Sequence, residues 1–79
     1  MNNMRAKLVV RNVEPYEGGE TLTFSAVAKD GAYPEDGTDE NNTFSRWTPS
    51  ADLKMTVNNP DLLGKFAIDQ AYYVDFTPA

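Results

Sequence analysis

The chain has no cysteine and no histidine. The first absence excludes disulfides and thiolate metal sites. The second removes the side chain most used as a catalytic base or metal ligand near neutral pH. Long apolar runs are also missing, the longest being only a few residues, whereas a membrane span needs roughly 20. The start MNNMRAK is polar, and Met1 to Met4 within it are expected to be loosely held. It leads into a strand-like LVV rather than the apolar core of a signal peptide. Cations are the minority, 7 against 12 acidic residues for a net charge of −5, which opposes the attraction most nucleic-acid binders rely on. No metal or cofactor is expected, and no catalysis: Ser45 and Ser50 have no visible activating base, and nothing places Asp52 and Asp75 together in a pocket.

What is present is a chain of 79 residues, read as a single domain over 1–79. At this length folding buries only roughly 60% of the unfolded surface, so the core is thin and a homo-oligomer is expected. Residues 5–13, RAKLVVRNV, suit a strand. Simple alternation sets Ala6, Leu8 and Val10 on one face and Arg5, Lys7, Val9, Arg11 and Val13 on the other. The charges suit a solvated edge strand, with a strip for phosphate or an acidic partner as the alternative. The turn EPYEGGE should bring this strand against residues 21–28, TLTFSAVA, with Leu22, Phe24, Ala26 and Ala28 inward.

Residues 29–42 hold five of the twelve acidic residues, two glycines and a proline, the composition of a long mobile loop. The run from Asp36 to Asn41 departs from a calcium loop because its glycine is misplaced and no bidentate Glu follows at the required distance. A short strand is expected over 43–47, ended by Pro49, and another over 51–57 with Leu53, Met55 and Val57 inward. Asn59, Pro60, Asp61 and Gly64 then form a helix-punctuation set that allows about one turn, with Leu62, Leu63 and Phe66 as an apolar plug. The last strand, 71–77, alternates Tyr72, Val74 and Phe76 against Tyr73, Asp75 and Thr77. The fold class is therefore mainly β, a small five-stranded antiparallel barrel or curled sheet with one short helical turn.

From Phe44 onward, FSRWTPSADLKMTVNNP followed by a Phe and then YYVDFT resembles small proteins of tailed bacteriophages. In that group a TPSG-like corner leads into an NP turn and a YYVDF-like strand closes the chain. Ala51 stands where Gly is common there, and residues 67–70 replace a Pro-Gly turn. The resemblance implies a phage source and action in the cytoplasm of the infected host. It implies no chemistry, because the group has no settled activity.

Three non-catalytic roles are open to such a chain. The leading one is a phage accessory binder directed at host defence, taking a host protein or an anionic small molecule such as a signalling nucleotide. Arg11, Arg46, Trp47, Lys54 and Tyr73 are its candidate ligand-binding residues, since cations flanked by aromatics suit such ligands. The others are a single-stranded nucleic-acid-binding accessory, in which aromatics stack bases beside the same cations, and a virion decoration protein. Trp47 is either core or, facing out beside Arg11, part of the binding surface.

Overall fold

A computed structural model describes residues 4–79. Met1, Asn2 and Asn3, most of the expected polar start, lie outside the described residues. Four strands, β1 (Met4–Tyr16), β2 (Gly19–Ala26), β3 (Asp52–Val57) and β4 (Ala71–Phe76), form one sheet in the order β3-β2-β1-β4 with every neighbouring pair antiparallel. The mainly β class holds, but there are four strands rather than five and the sheet is open rather than a closed barrel. Residues 43–47 form turns instead of the expected strand.

β1 is not an edge strand. It pairs with β2 from Leu8 to Tyr16 and with β4 from Met4 to Val9, so its 13 residues outrun either partner. The register with β2 slips between Val10 and Asn12, a bulge that leaves Arg11 without a cross-strand partner. The slip moves Val13 opposite Leu22, onto the face of Ala6, Leu8 and Val10, whereas unbroken alternation sets it with Arg11. A buried face tolerates no such error, because a one-residue shift exchanges every later side chain.

That inner face carries the core of Ala6, Leu8, Val10, Leu22, Phe24 and Val57. Its cover is the connection from β3 to β4. The two strands occupy opposite edges, so residues 58–70 must cross a face, and they cross this one, with Leu63 and Phe66 packed on the core. Their apolar side chains fill the space that the opposite wall of a barrel would occupy, which is why closure is not needed. The crossing begins as expected: Asn59 Oδ1 accepts from the Asp61 N–H at 3.1 Å, and Pro60–Leu62 makes one 3-10 turn. Leu62, expected in the plug, is 47% exposed. Phe24 lies edge-on to both Phe66 and Tyr72, with ring centroids 6.2 and 6.4 Å away. The buried Glu20 accepts from the Gly64 N–H at 3.2 Å, so its carboxylate has a partner, as a buried acceptor must.

The resulting body is thin, 48 × 29 × 15 Å with a radius of gyration of 14.4 Å, against about 12 Å for a compact domain of this length. Phe24 joins strand, crossing segment and β4. Phe24→Ala is therefore expected to remove about 3–5 kcal/mol, read as a lowered urea midpoint.

Candidate functional site

The loop between β2 and β3 is held at its base by one side chain. Where β2 ends, the lower half of β1 still presents N–H and C=O groups along that side, and buried polar backbone must be paired. Asn42, fully buried, supplies the pairing: its Oδ1 accepts from the Lys7 N–H at 2.8 Å and its Nδ2 donates to the Val27 carbonyl at 2.8 Å. Thr43 continues the line, donating its N–H to the Arg5 carbonyl at 2.9 Å and accepting from the Arg5 N–H at 2.8 Å through Oγ1. The buried Asp39 accepts in turn from Asn42 Nδ2 at 3.2 Å and from the Asn41 N–H at 2.9 Å. Burial pushes the Asp39 carboxyl upward, but hydrogen bonds from the Asn42 side chain and from the backbone of Asn41 and Lys29 outweigh it, leaving the pKa below the ordinary value. The loop expected to be mobile is thus tied into the sheet.

Farther out the loop packs on itself. Trp47 is not core: it is 52% exposed and sits at a φ of 62°. Its N–H donates to the Gly37 carbonyl at 2.8 Å, and Tyr33 meets its ring edge-on at 5.9 Å between centroids. Gly37, with a φ of 75°, lies under the indole so closely that a Cβ there would stand 2.5 Å from the ring. Beside this cluster is an open concavity of about 520 Å³, lined among others by Thr38, Glu40, Ser45 and Arg46. A second hollow of about 450 Å³ adjoins it, where Arg5 and Asp75 join Glu40 and Thr43.

The outer face of the sheet carries the remaining candidates. Arg5 Nε donates to Asp75 Oδ1 at 2.6 Å while its guanidinium lies 4.6 Å from the Tyr73 ring centroid. The hydrogen bond and charge of Asp75 hold the Arg5 pKa up, and the same bond holds Asp75 down. Tyr73 Oη donates to Asn41 Oδ1 at 2.9 Å, linking β4 to the loop. Arg11, displaced by the bulge, donates from Nε to Ser25 Oγ at 2.7 Å. Lys54 lies opposite Thr23 on the outer side of β3.

The five candidate residues therefore divide. Arg11, Lys54 and Tyr73 are on the outer sheet face, whereas Arg46 and Trp47 are on the loop, so no single pocket gathers them. Sequence reasoning placed Arg5 in a charged strip but missed Asp39, Asn41 and Asn42. Their only advance signal is the D-x-N-N spacing of a local Asx turn, which does not say what it will be docked against. Among the described residues no group of three or more acidic side chains is placed to hold a metal ion, and no helix is long and apolar enough to cross a membrane.

Fold and surface together define an open four-stranded antiparallel sheet with an ordered loop tied to its central strand. No protein-family model, curated protein or solved structure matches the chain.

Asn42→Ala leaves the Lys7 N–H and Val27 carbonyl unpaired, and is expected to cost about 1–3 kcal/mol, with faster hydrogen exchange at the Lys7 amide. Asp39 has a lowered folded pKa, so its contribution is complete above the unfolded value of about 3.9 and disappears as pH falls through the folded one. A urea midpoint measured from about pH 2 to 7 should fall on the acid side of about pH 4, where Asp36, Glu40 and Asp75 also titrate below their ordinary values, and Asp39→Asn should make that limb shallower.

Proposed function

We propose that the chain is a non-catalytic phage accessory protein that docks on a host protein through the surface around Arg46 and Trp47. The observation that carries this reading is Trp47 itself. A bulky residue in the left-handed region is strained by about 1–3 kcal/mol, yet here it leaves half its surface in water. Core packing does not account for that arrangement. The Tyr33 hydroxyl beneath is buried with no hydrogen-bond partner among the described residues, a further cost in the same cluster. Trp and Arg are the side chains most often found as anchors of protein interfaces, and a ring immobilised by Gly37 and Tyr33 loses little freedom on binding.

The neighbouring concavity is open and Arg46 is its one lining cation, which suits a protein surface better than an enclosed nucleotide. The nucleotide version draws on Arg11, Arg46 or Lys54 in a pocket formed between subunits, because within one chain these cations lie on different parts of the fold.

A second reading, binding of single-stranded nucleic acid, draws on one observation. Four of the seven cations, Arg5, Lys7, Arg11 and Lys54, lie on the outer sheet face, which also carries Tyr73. Of these, Arg5 is already paired with Asp75, and the Tyr73 hydroxyl is engaged by Asn41. A gel shift with single-stranded DNA at low salt separates the readings, since the outer face predicts binding that weakens steeply with added salt.

Trp47→Ala is expected to lower stability by only about 1–2 kcal/mol, in line with its half burial, while weakening capture of a host protein at least tenfold. Arg46→Glu should do the same with unchanged circular dichroism. Affinity capture quantified against wild type checks both, and retention of the partner by both variants would refute this surface.

A further inference from the structure

The outer edge of β4 is open, and its chemistry is self-complementary. Val10 donates its N–H to the Gln70 carbonyl, which fixes the alternation along the β1–β4 ladder. Tyr72, Val74 and Phe76 therefore turn their N–H and C=O groups toward β1, and Ala71, Tyr73 and Asp75 turn theirs outward. Among the described residues nothing pairs with that outward row. Such an edge is a template for another strand, and natural edges are blunted by charge or proline. The opposite edge is better protected by charge: β3 carries both Asp52 and Lys54 and is preceded by Pro49. β4 has one charge, Asp75, and Arg5 neutralises it.

We propose that two copies of this chain pair antiparallel along β4, about a two-fold axis at Val74, to make one continuous sheet. A two-fold pair of edges must place residues of the same face opposite each other, so the axis falls on a residue rather than between two. Centring on Asp75 would oppose two carboxylates. Centring on Tyr73 would leave Phe76 facing the polar Gln70 of the second copy. Centring on Val74 places Tyr72 against Phe76 of the second copy on the inner face and Val74 against its counterpart. On the outer face it places Tyr73 against Asp75 of the second copy. In the same register the outward N–H and C=O groups of Tyr73 and Asp75 meet their counterparts.

Charge complementarity supports a second copy rather than an unrelated strand. Each outer row then reads Arg5 and Asp75 from one copy followed by Tyr73 and Lys7 from the other, with no like charges adjacent. The pairing also covers apolar surface that one copy leaves in water: Phe76 is 51% exposed and Tyr73 53%. This inference is independent of the role given to Trp47.

The test uses the absence of cysteine. In this register Val74 faces its counterpart in a non-hydrogen-bonded pair, the geometry in which Cα atoms approach to about 4.5 Å and a disulfide can form. Val74→Cys should give a disulfide-linked dimer under mild oxidation. Met55→Cys, the matching inner-face position on the β3 edge, should cross-link at least tenfold more slowly. Light scattering of the wild type should give twice the 8.8 kDa chain mass, and Phe76→Asp should raise the dimer dissociation constant at least tenfold with unchanged circular dichroism. A wild-type monomer at high concentration would overturn the proposal. So would a dimer in which Met55→Cys cross-links as fast as Val74→Cys.

Discussion

The length of β1 is the constraint on which the rest of the molecule depends. A strand of 13 residues has two rows of backbone donors and acceptors, and each must be paired or wet. β2 covers one side only as far as Leu8, with Val27 reaching Lys7, and β4 covers the other only from Met4 to Val9. The stretch that β2 leaves open is closed by Asn42 and Thr43, whose side chains act as backbone. Because Asn42 must reach both Lys7 and Val27, the loop that carries it returns to the sheet at a defined point. The positions of Arg46 and Trp47 depend on that return.

The bulge at Arg11 solves a second problem of the same strand. A long strand twists, and an inserted residue bends it and re-aims the side chains beyond the insertion. Here the insertion restores Val13 to the apolar face, while Arg11 keeps the outward side that alternation gives it and reaches Ser25. One irregularity therefore completes the core without moving a cation into it. The outer face carries four of the seven cations and three of the twelve acids, Glu14, Asp52 and Asp75, so the excess negative charge lies on the turns, the loop and the crossing segment.

Stability and function draw on different parts of the fold. The core is small, with the aromatic group of Phe24, Phe66 and Tyr72 joining the sheet to the crossing segment and Phe44 adding cover from the loop. The loop is held mainly by polar contacts, in which burial of Asp39 is offset by hydrogen bonds from Asn41 and Asn42, and burial of Asn42 by its bonds with Lys7 and Val27. Its tip holds the strained Trp47 above Gly37, an arrangement that costs stability within the monomer and presents an apolar ring with a neighbouring cation to the outside.

The sequence by itself determined the strand class, the first hairpin, the faces of β2, β3 and β4, and the single turn at Pro60–Leu62. These depend on neighbours within a few residues: alternation reports the two sides of a pleat, and Asn-Pro-Asp reports a helix start. Only the tertiary structure decided that residues 43–47 are turns: Thr43 meets the open stretch of β1 at Arg5, and the chain then turns away, with the Ser45 N–H on the Asn42 carbonyl and the Trp47 backbone N–H on the Gly37 carbonyl. It also decided the bulge, because the face of Val13 depends on Leu22 across the ladder and not on Arg11 beside it. The open sheet results from residues 58–70 lying over the core, a choice between filling a face and closing a barrel that no local pattern records. Trp47 and its neighbours were visible as residue types. Their separation from Arg11, Lys54 and Tyr73 arose only when Asn42 fixed where the loop comes back.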